Sequence, residues 1–357
     1  MKKIIFTAGG TGGHIFPALA VAKLCETQYD ILWVGAKGGI ESTVVPRYGI
    51  PISSINISGL RKKGFLRLLL MPFLLLRAFF QSFIVILRER PDVIVGFGGY
   101  VTFPVCFMGV ILRIPVIIHE QNSVPGLSNK ILARFVNKVI VAFPRVLASK
   151  KTILLGNPVR KDIDDIPGPE IRYAARSGGL NVLILGGSLG AKIFNDILPE
   201  VFGIINNNQA GHIANITHQV GKGDLETVAS QYQNFGVNNI TVINFIDDMA
   251  MMYANIDLVI CRAGASTVSE ICAVGLAAIF VPYPYAVDDH QKYNALNLVK
   301  TGASIMFDQS SLSAAKLADT IIALNRPKCK DMAQLTKELA IKDSSEKIKQ
   351  VITGFIT

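Results

Sequence analysis

Cysteine is scarce in this chain: five residues in 357 (Cys25, Cys106, Cys261, Cys272, Cys329), none in CxxC spacing. An odd number so placed argues against a disulfide framework and a zinc site, and fits a reducing cytoplasm. Charge is thin as well, at 17% against 50% hydrophobic residues, which excludes a disordered or low-complexity chain. Acids are outnumbered, 26 against 36 Lys and Arg, but the excess is local: Leu60 to Arg90 holds seven bases (Arg61, Lys62, Lys63, Arg67, Arg77, Arg88, Arg90) and one acid, Glu89. These cations flank an apolar run instead of interleaving with stacking aromatics, so no nucleic-acid partner is expected. The short apolar stretch at Met1–Phe6 meets a Gly cluster where a signal peptide would continue, and no export signal is read.

What is present is enough chain for two hydrophobic cores. The opening KKIIFTAGGTGGHIFPALAVAKL is an apolar run, a Gly cluster and then a helical pattern with Pro17 near its start. The same strand–turn–helix grammar recurs at Asp92–Leu112, Asn181–Leu198 and Ile256–Gly275. Short unalternating strands of this kind predict an α/β fold with parallel sheets covered by helices on both faces. The Pro-, Gly- and charge-rich stretch Gly156–Gly179 marks the boundary, giving domains 1–158 and 159–341. A final helix in 342–357 can join either domain.

GGTGGH (Gly9–His14) fails the dinucleotide pattern GxGxxG, because Ile15 stands at the last Gly, and it lacks a P-loop Lys. Its glycines still allow backbone N–H groups to approach a phosphate at a helix N-terminus. A tight turn is the plain alternative, weakened by the presence of four such loops. Gly9 and Gly10, Gly98 and Gly99, and Gly186, Gly187 and Gly190 are the candidate phosphate-loop glycines. GGTGGH with FPA, then GFGGYV, HEQN, GNPVR, GGSLGA, FIDDMA, CRAGASTVSE and HQKYNA follow in an order that resembles the MurG glycosyltransferases over nearly the whole chain. The resemblance implies a GT-B fold, two Rossmann-like doubly wound domains facing across a cleft. It also implies inverting transfer of N-acetylglucosamine from UDP-N-acetylglucosamine to an undecaprenyl-linked peptidoglycan precursor, without a cofactor.

Such a displacement needs a base for the acceptor hydroxyl and stabilisation of departing UDP. His14 can change protonation near neutral pH, though a His at a helix start can also bind phosphate or cap the helix; the resemblance favours the base. Glu120 is a second base candidate or a structural acid. Ser188 joins the third loop's glycines in facing pyrophosphate. By resemblance, Glu270 binds the ribose, Ala265, Ser266, Thr267, Val268 and Ser269 lie under the nucleotide, and Ile246 offers a backbone edge to uracil. Arg160 adds a nucleotide contact, and Thr11, Gly12, Gly13, Asn122 and Gln291 meet the N-acetylglucosamine. Thr267 and Glu270 read equally as a capping box. Asp162-Ile163-Asp164 has the form of a metal-positioning DxD, but its hydrophilic setting favours solvated linker acids, and no metal site is expected. Leu189, Ala277 and Thr102-Phe103-Pro104 depart from the family's usual residues.

Leu68–Leu87 is long enough for a membrane span, but Pro72, Arg77 and Gln81 interrupt it. The expected alternative is an interfacial patch on an anionic membrane, with Arg67, Arg77, Phe79 and Phe80 as contacts. A buried core helix is the competing reading. The patch and the resemblance together place the chain peripherally on the cytoplasmic side of the inner membrane. The competing functions are a UDP-N-acetylglucosamine 2-epimerase and a non-catalytic nucleotide-sugar-binding scaffold.

Overall fold

The computed structural model describes residues 1–58, 71–187, 190–222 and 225–356. They form two compact units, Met1–Val159 with Ile341–Thr357, and Arg160–Ala340. The first contains β1 (Lys3–Thr7), β2 (Asp30–Ala36), β3 (Ile52–Ile55), β4 (Val93–Gly96), β5 (Val116–Glu120), β6 (Lys138–Val141) and β7 (Thr152–Leu154), in the order β3-β2-β1-β4-β5-β6-β7. The second contains β8 (Leu180–Leu185), β9 (Ile213–Gln219), β10 (Ile240–Ile243), β11 (Leu258–Cys261), β12 (Ala277–Phe280) and β13 (Ser304–Met306), in the order β10-β9-β8-β11-β12-β13. Every pairing among these strands is parallel.

Helices cover both faces of each sheet, which is why the strands read as unbroken apolar runs: Ile4, Ile5 and Phe6 of β1 are all buried. Phe6 stacks on Trp33 and Phe97, and the Trp33 indole N–H donates to the Ala8 carbonyl at 3.2 Å. The first turn after β1 is thereby tied to the core. In each sheet the chain reverses its winding once, between β1 and β4 and between β8 and β11. Loops leaving the carboxyl ends of those strands diverge, and such a switch point is where an open α/β sheet binds ligands.

The helix Ser344–Thr353 buries Ile348 and Ile352 in the first unit's core, against the helix Gly12–Cys25. Ser345 Oγ donates to the Val159 carbonyl at 3.4 Å. In the second unit, the side chain of Asp257, just before β11, is fully buried. It accepts from Arg176 Nη1 at 2.7 Å, from Arg326 Nη1 at 2.9 and 3.0 Å, and from the Asn181 backbone N–H at 2.9 Å. One carboxylate therefore joins the segment entering the unit, the start of β8 and the helix Arg326–Glu338.

The helix Met71–Glu89 is long and apolar enough to cross a membrane by length and composition, yet one side of it is packed. Ala78, Ser82, Val85 and Ile86 are buried, at helical spacing, and Gln81 Oε1 accepts the Asn56 backbone N–H at 2.7 Å. Phe73, Leu76 and Phe80 form part of the opposite stripe and are 69%, 64% and 63% exposed. Phe79 departs from the expected patch. It is half-buried and packs on Phe103 and Phe107, with ring centroids 5.9 and 5.7 Å away, because adjacent helix positions point about 100° apart. Arg77 is exposed. Arg67 lies outside the described residues.

Candidate active site

In the first unit, β1 and β4 deliver the loops Ala8–Thr11 and Phe97–Val101 to the switch point. Gly9 N–H donates to the Gly98 carbonyl at 3.3 Å. Gly98 has φ +93° and lies against His14, so a Cβ there would come within 2.9 Å of Nδ1. Thr102 Oγ1 donates to the Gly98 and Thr7 carbonyls, 2.7 and 3.1 Å away, so this departure from the family residue braces the second loop. Glu41, fully buried and 31 residues from the first loop, accepts Ala36 N–H at 2.9 Å and Gly10 N–H at 3.4 Å. Thr11 is the N-cap of the helix Gly12–Cys25 but makes no side-chain cap. The start of that helix, where Gly12 and Gly13 stand, keeps its positive dipole end for a ligand.

His14 is half-buried in the first helical turn, with its Nδ1 3.1 Å from Gln121 Oε1. Gln121 is buried and donates from Nε2 to the Phe97 carbonyl at 2.7 Å. His119, two residues before it, is of a different kind. It is fully buried and stacked on Phe97, and desolvation pushes its pKa down to about 4. Glu120 is a structural acid: its oxygens accept the backbone N–H groups of Asn122 and Gly126 at 3.0 and 3.1 Å and the Asn129 amide at 2.8 Å. Buried and so occupied, it is not poised to take a proton from a substrate. It fixes the turn that carries Asn122.

The second unit repeats the geometry. The turn after β8 closes with Gly190 N–H donating to the Gly187 carbonyl at 2.8 Å, and Gly190, at φ +77°, leaves no room for a Cβ against the Val220 carbonyl. The helix Lys192–Asn208 follows without a side-chain cap. Ser188 and Leu189 lie outside the described residues. After β11 the helix Ala265–Val274 starts from Gly264, again without a side-chain cap. Thr267 is thus inside the first turn, and the expected Thr267–Glu270 capping box does not form, because the helix begins three residues earlier than that reading requires. Ser266 Oγ is buried without a hydrogen-bond partner, and an orphaned hydroxyl at a helix start suits an anionic ligand.

Glu270 instead accepts from the hydroxyl of the buried Tyr253 at 3.1 Å. Desolvation raises its pKa, with the Tyr253 bond and the Arg160 charge opposing and Asp162 adding to the rise. Arg160 Nε lies 3.7 Å from Asp162 on the one-turn helix Lys161–Asp164. Asp162 and Asp164, two apart on a helix, point to different sides. Among the described residues no three His, Cys, Asp or Glu side chains gather as a metal site. Ile246 is buried beside Phe245, Asp248 and Met251, lining a cavity of about 470 Å³. Gln291 Oε1 accepts Tyr283 N–H at 3.0 Å at the start of the helix His290–Val299. Arg262, which lies in the CRAGASTVSE motif but is given no role by it, holds the Val281 and Pro282 carbonyls and stacks on Phe194 and Tyr283.

Two parallel α/β units, each with glycine loops at its switch point, have the architecture of the GT-B class. Models of the glycosyltransferase family 28 N-terminal and C-terminal domains match residues 4–141 and 181–351. The chain belongs to the MurG family within glycosyltransferase family 28. It is 44% identical over 353 residues to the UDP-N-acetylglucosamine–N-acetylmuramyl-(pentapeptide) pyrophosphoryl-undecaprenol N-acetylglucosamine transferase of Ralstonia nicotianae, covering 98% of this chain and 95% of that one. A crystal structure of Acinetobacter baumannii MurG superposes with TM-score 0.89 at 36% identity, over 99% of this chain and 100% of the other. The UDP-GlcNAc 2-epimerase of Neisseria meningitidis reaches TM-score 0.67 at 12% identity over 99% and 100% of the two chains. That likeness is one of fold alone.

Proposed function

We propose that this protein moves N-acetylglucosamine from UDP-N-acetylglucosamine to undecaprenyl-pyrophosphoryl-N-acetylmuramyl-pentapeptide, with inversion at the sugar. The observation that carries this reading is the end-to-end similarity to a transferase named for that reaction, with the glycine loops of both units seated at switch points. In the first unit His14 takes the proton of the acceptor hydroxyl. In the second, the uncapped starts of the helices Lys192–Asn208 and Ala265–Val274 offer N–H groups and dipole to the charge that develops on departing UDP. Ser188 and Arg160 add contacts to the nucleotide, Ile246 a backbone edge for uracil, and Asn122 and Gln291 amides suited to sugar hydroxyls. Radiolabelled UDP-N-acetylglucosamine supplied with the lipid acceptor should give a labelled lipid disaccharide. Free N-acetylmannosamine would indicate an epimerase, and no turnover a binding scaffold.

Glu270 is the ribose contact, because a carboxylate can accept hydrogen bonds from both hydroxyls of a vicinal diol. Glu270→Gln should weaken UDP-N-acetylglucosamine by about 1–3 kcal/mol. Since burial raises the pKa of Glu270, the ionised acceptor is lost as pH falls through that raised value. Affinity of the parent should therefore drop in mild acid, while the Gln variant stays weak and flat. The donor is a suitable probe, its pyrophosphate being esterified at both ends and free of a titration near neutrality. Unchanged affinity with a lower melting temperature would confine Glu270 to its bond with Tyr253.

The exposed stripe of the Met71–Glu89 helix is the membrane contact, with Arg77 facing anionic headgroups on the cytoplasmic side of the inner membrane. A helix packed along one side cannot be surrounded by lipid, so the association is peripheral. Changing Phe73, Leu76 and Phe80 together to Ser should cut binding to anionic vesicles at least about tenfold, because shallow insertion of each is worth a fraction of its full burial energy of about 1.5–3 kcal/mol. Their exposure predicts an unchanged melting temperature. Undiminished vesicle binding by the folded triple variant would place the contact elsewhere.

A further inference from the structure

A neutral imidazole carries one proton, and a base that works through Nε2 must keep that proton on Nδ1. Nothing in the Gly9–His14 turn itself decides between the tautomers. Gln121 does. Its amide nitrogen is 2.7 Å from the Phe97 carbonyl, which can only accept, so the amide cannot be turned over without setting oxygen against oxygen. The amide oxygen is left facing His14 Nδ1 at 3.1 Å, and an oxygen there requires a proton on Nδ1. Gln121 is 1% exposed, and Gly98 has no side chain that could intrude between the ring and the loop.

We propose that Gln121 is a positioning residue that holds His14 as its Nδ1–H tautomer and so leaves the Nε2 lone pair to act as the base. The proposal rests on the reading of His14 as that base. The arrangement is that of a His held by an acceptor on its far nitrogen, with a neutral amide in place of the more usual carboxylate. A neutral partner orients the ring without holding it in the charged form. The other titratable groups nearby are His119, buried and neutral, Glu41, engaged by Ala36 and Gly10, and Tyr100 beside Gly10.

The test begins with the unaltered full-length protein, labelled with ¹⁵N at histidine. Its five histidine rings are read by NMR, the His14 signals being assigned from their loss in His14→Gln. The expected spectrum has protonated Nδ1 and bare Nε2 at His14, and a ring protonated on Nε2 would overturn the proposal. In Gln121→Met the acceptor is gone, and kcat should fall about 10- to 100-fold with the KM for UDP-N-acetylglucosamine unchanged. Gln121→Glu keeps the oxygen that faces Nδ1 but replaces the donor to Phe97 with a second oxygen, which meets that carbonyl without repulsion only when it carries a proton. It should restore part of the turnover lost in Gln121→Met where the introduced carboxyl is protonated, and that rescue should fade as pH rises and the carboxyl ionises. Parental kcat in a folded Gln121→Met, with His14→Gln inactive, would refute the role of Gln121 alone. Parental kcat in His14→Gln would refute the base reading on which it rests.

Discussion

Replacing His14 by Gln should reduce turnover by about 10²–10⁴-fold and leave UDP affinity within a factor of a few. Glutamine retains a hydrogen bond to a phosphate or an acceptor hydroxyl but cannot take up a proton. The substitution therefore separates a base from a group that merely positions. Affinity for the nucleotide should survive, because every nucleotide contact proposed above belongs to the unit Arg160–Ala340, whereas His14 belongs to the other. Stopped-flow or discontinuous measurement of UDP release, paired with calorimetric titration of UDP, checks both halves. Near-parental turnover would make His14 a positioning residue. It would not transfer the task to Glu120, whose two carboxylate oxygens are already taken by Asn122, Gly126 and Asn129.

The case of Glu120 shows what a sequence of this kind can and cannot display. Glycine clusters after apolar runs are legible because backbone geometry demands them locally, and all four loops stand at the carboxyl ends of β1, β4, β8 and β11. The α/β class followed from the same unalternating strands. The role of an acid depends on donors that the fold brings to it, and three of those around Glu120 come from two, six and nine residues onward, the last from the helix Leu127–Leu132. Glu41 reaches the first loop from 31 residues away, and Tyr253 reaches Glu270 from 17. No spacing rule announces either. Phe79 and Phe80 are indistinguishable in a run that is apolar all round, and only packing on Phe103 and Phe107 tells which one turns inward. Thr267 was readable as a cap because Thr-x-x-Glu is a sound pattern, but Ala265 and Ser266 are already helical.

Asp257 should be the most destabilising single position in the second unit: Asp257→Asn is expected to cost about 3–5 kcal/mol. The loss is larger than that of an ordinary ion pair because both guanidinium groups remain after the carboxylate has gone. Arg176 and Arg326 side chains are only 13% and 15% exposed, and each would keep its backbone acceptors while losing its counter-charge. Asparagine preserves shape and can still accept from the Asn181 N–H, so the change isolates charge. Chemical unfolding of the full chain, following the transition that UDP shifts to higher denaturant, is the measurement. A midpoint change equivalent to under about 1 kcal/mol would mean that water reaches the guanidinium groups and screens them as on a surface. The triple variant Asp257→Leu, Arg176→Met, Arg326→Leu then separates two meanings of a buried ion network. Removing the charges together should return most of the stability, since well-packed apolar residues often equal a buried charge cluster. If the triple variant remains as unstable as Asp257→Asn, the network's value lies in the carbonyls that Arg176 and Arg326 hold, at Ile256 and Ser177, and the charge of Asp257 is secondary.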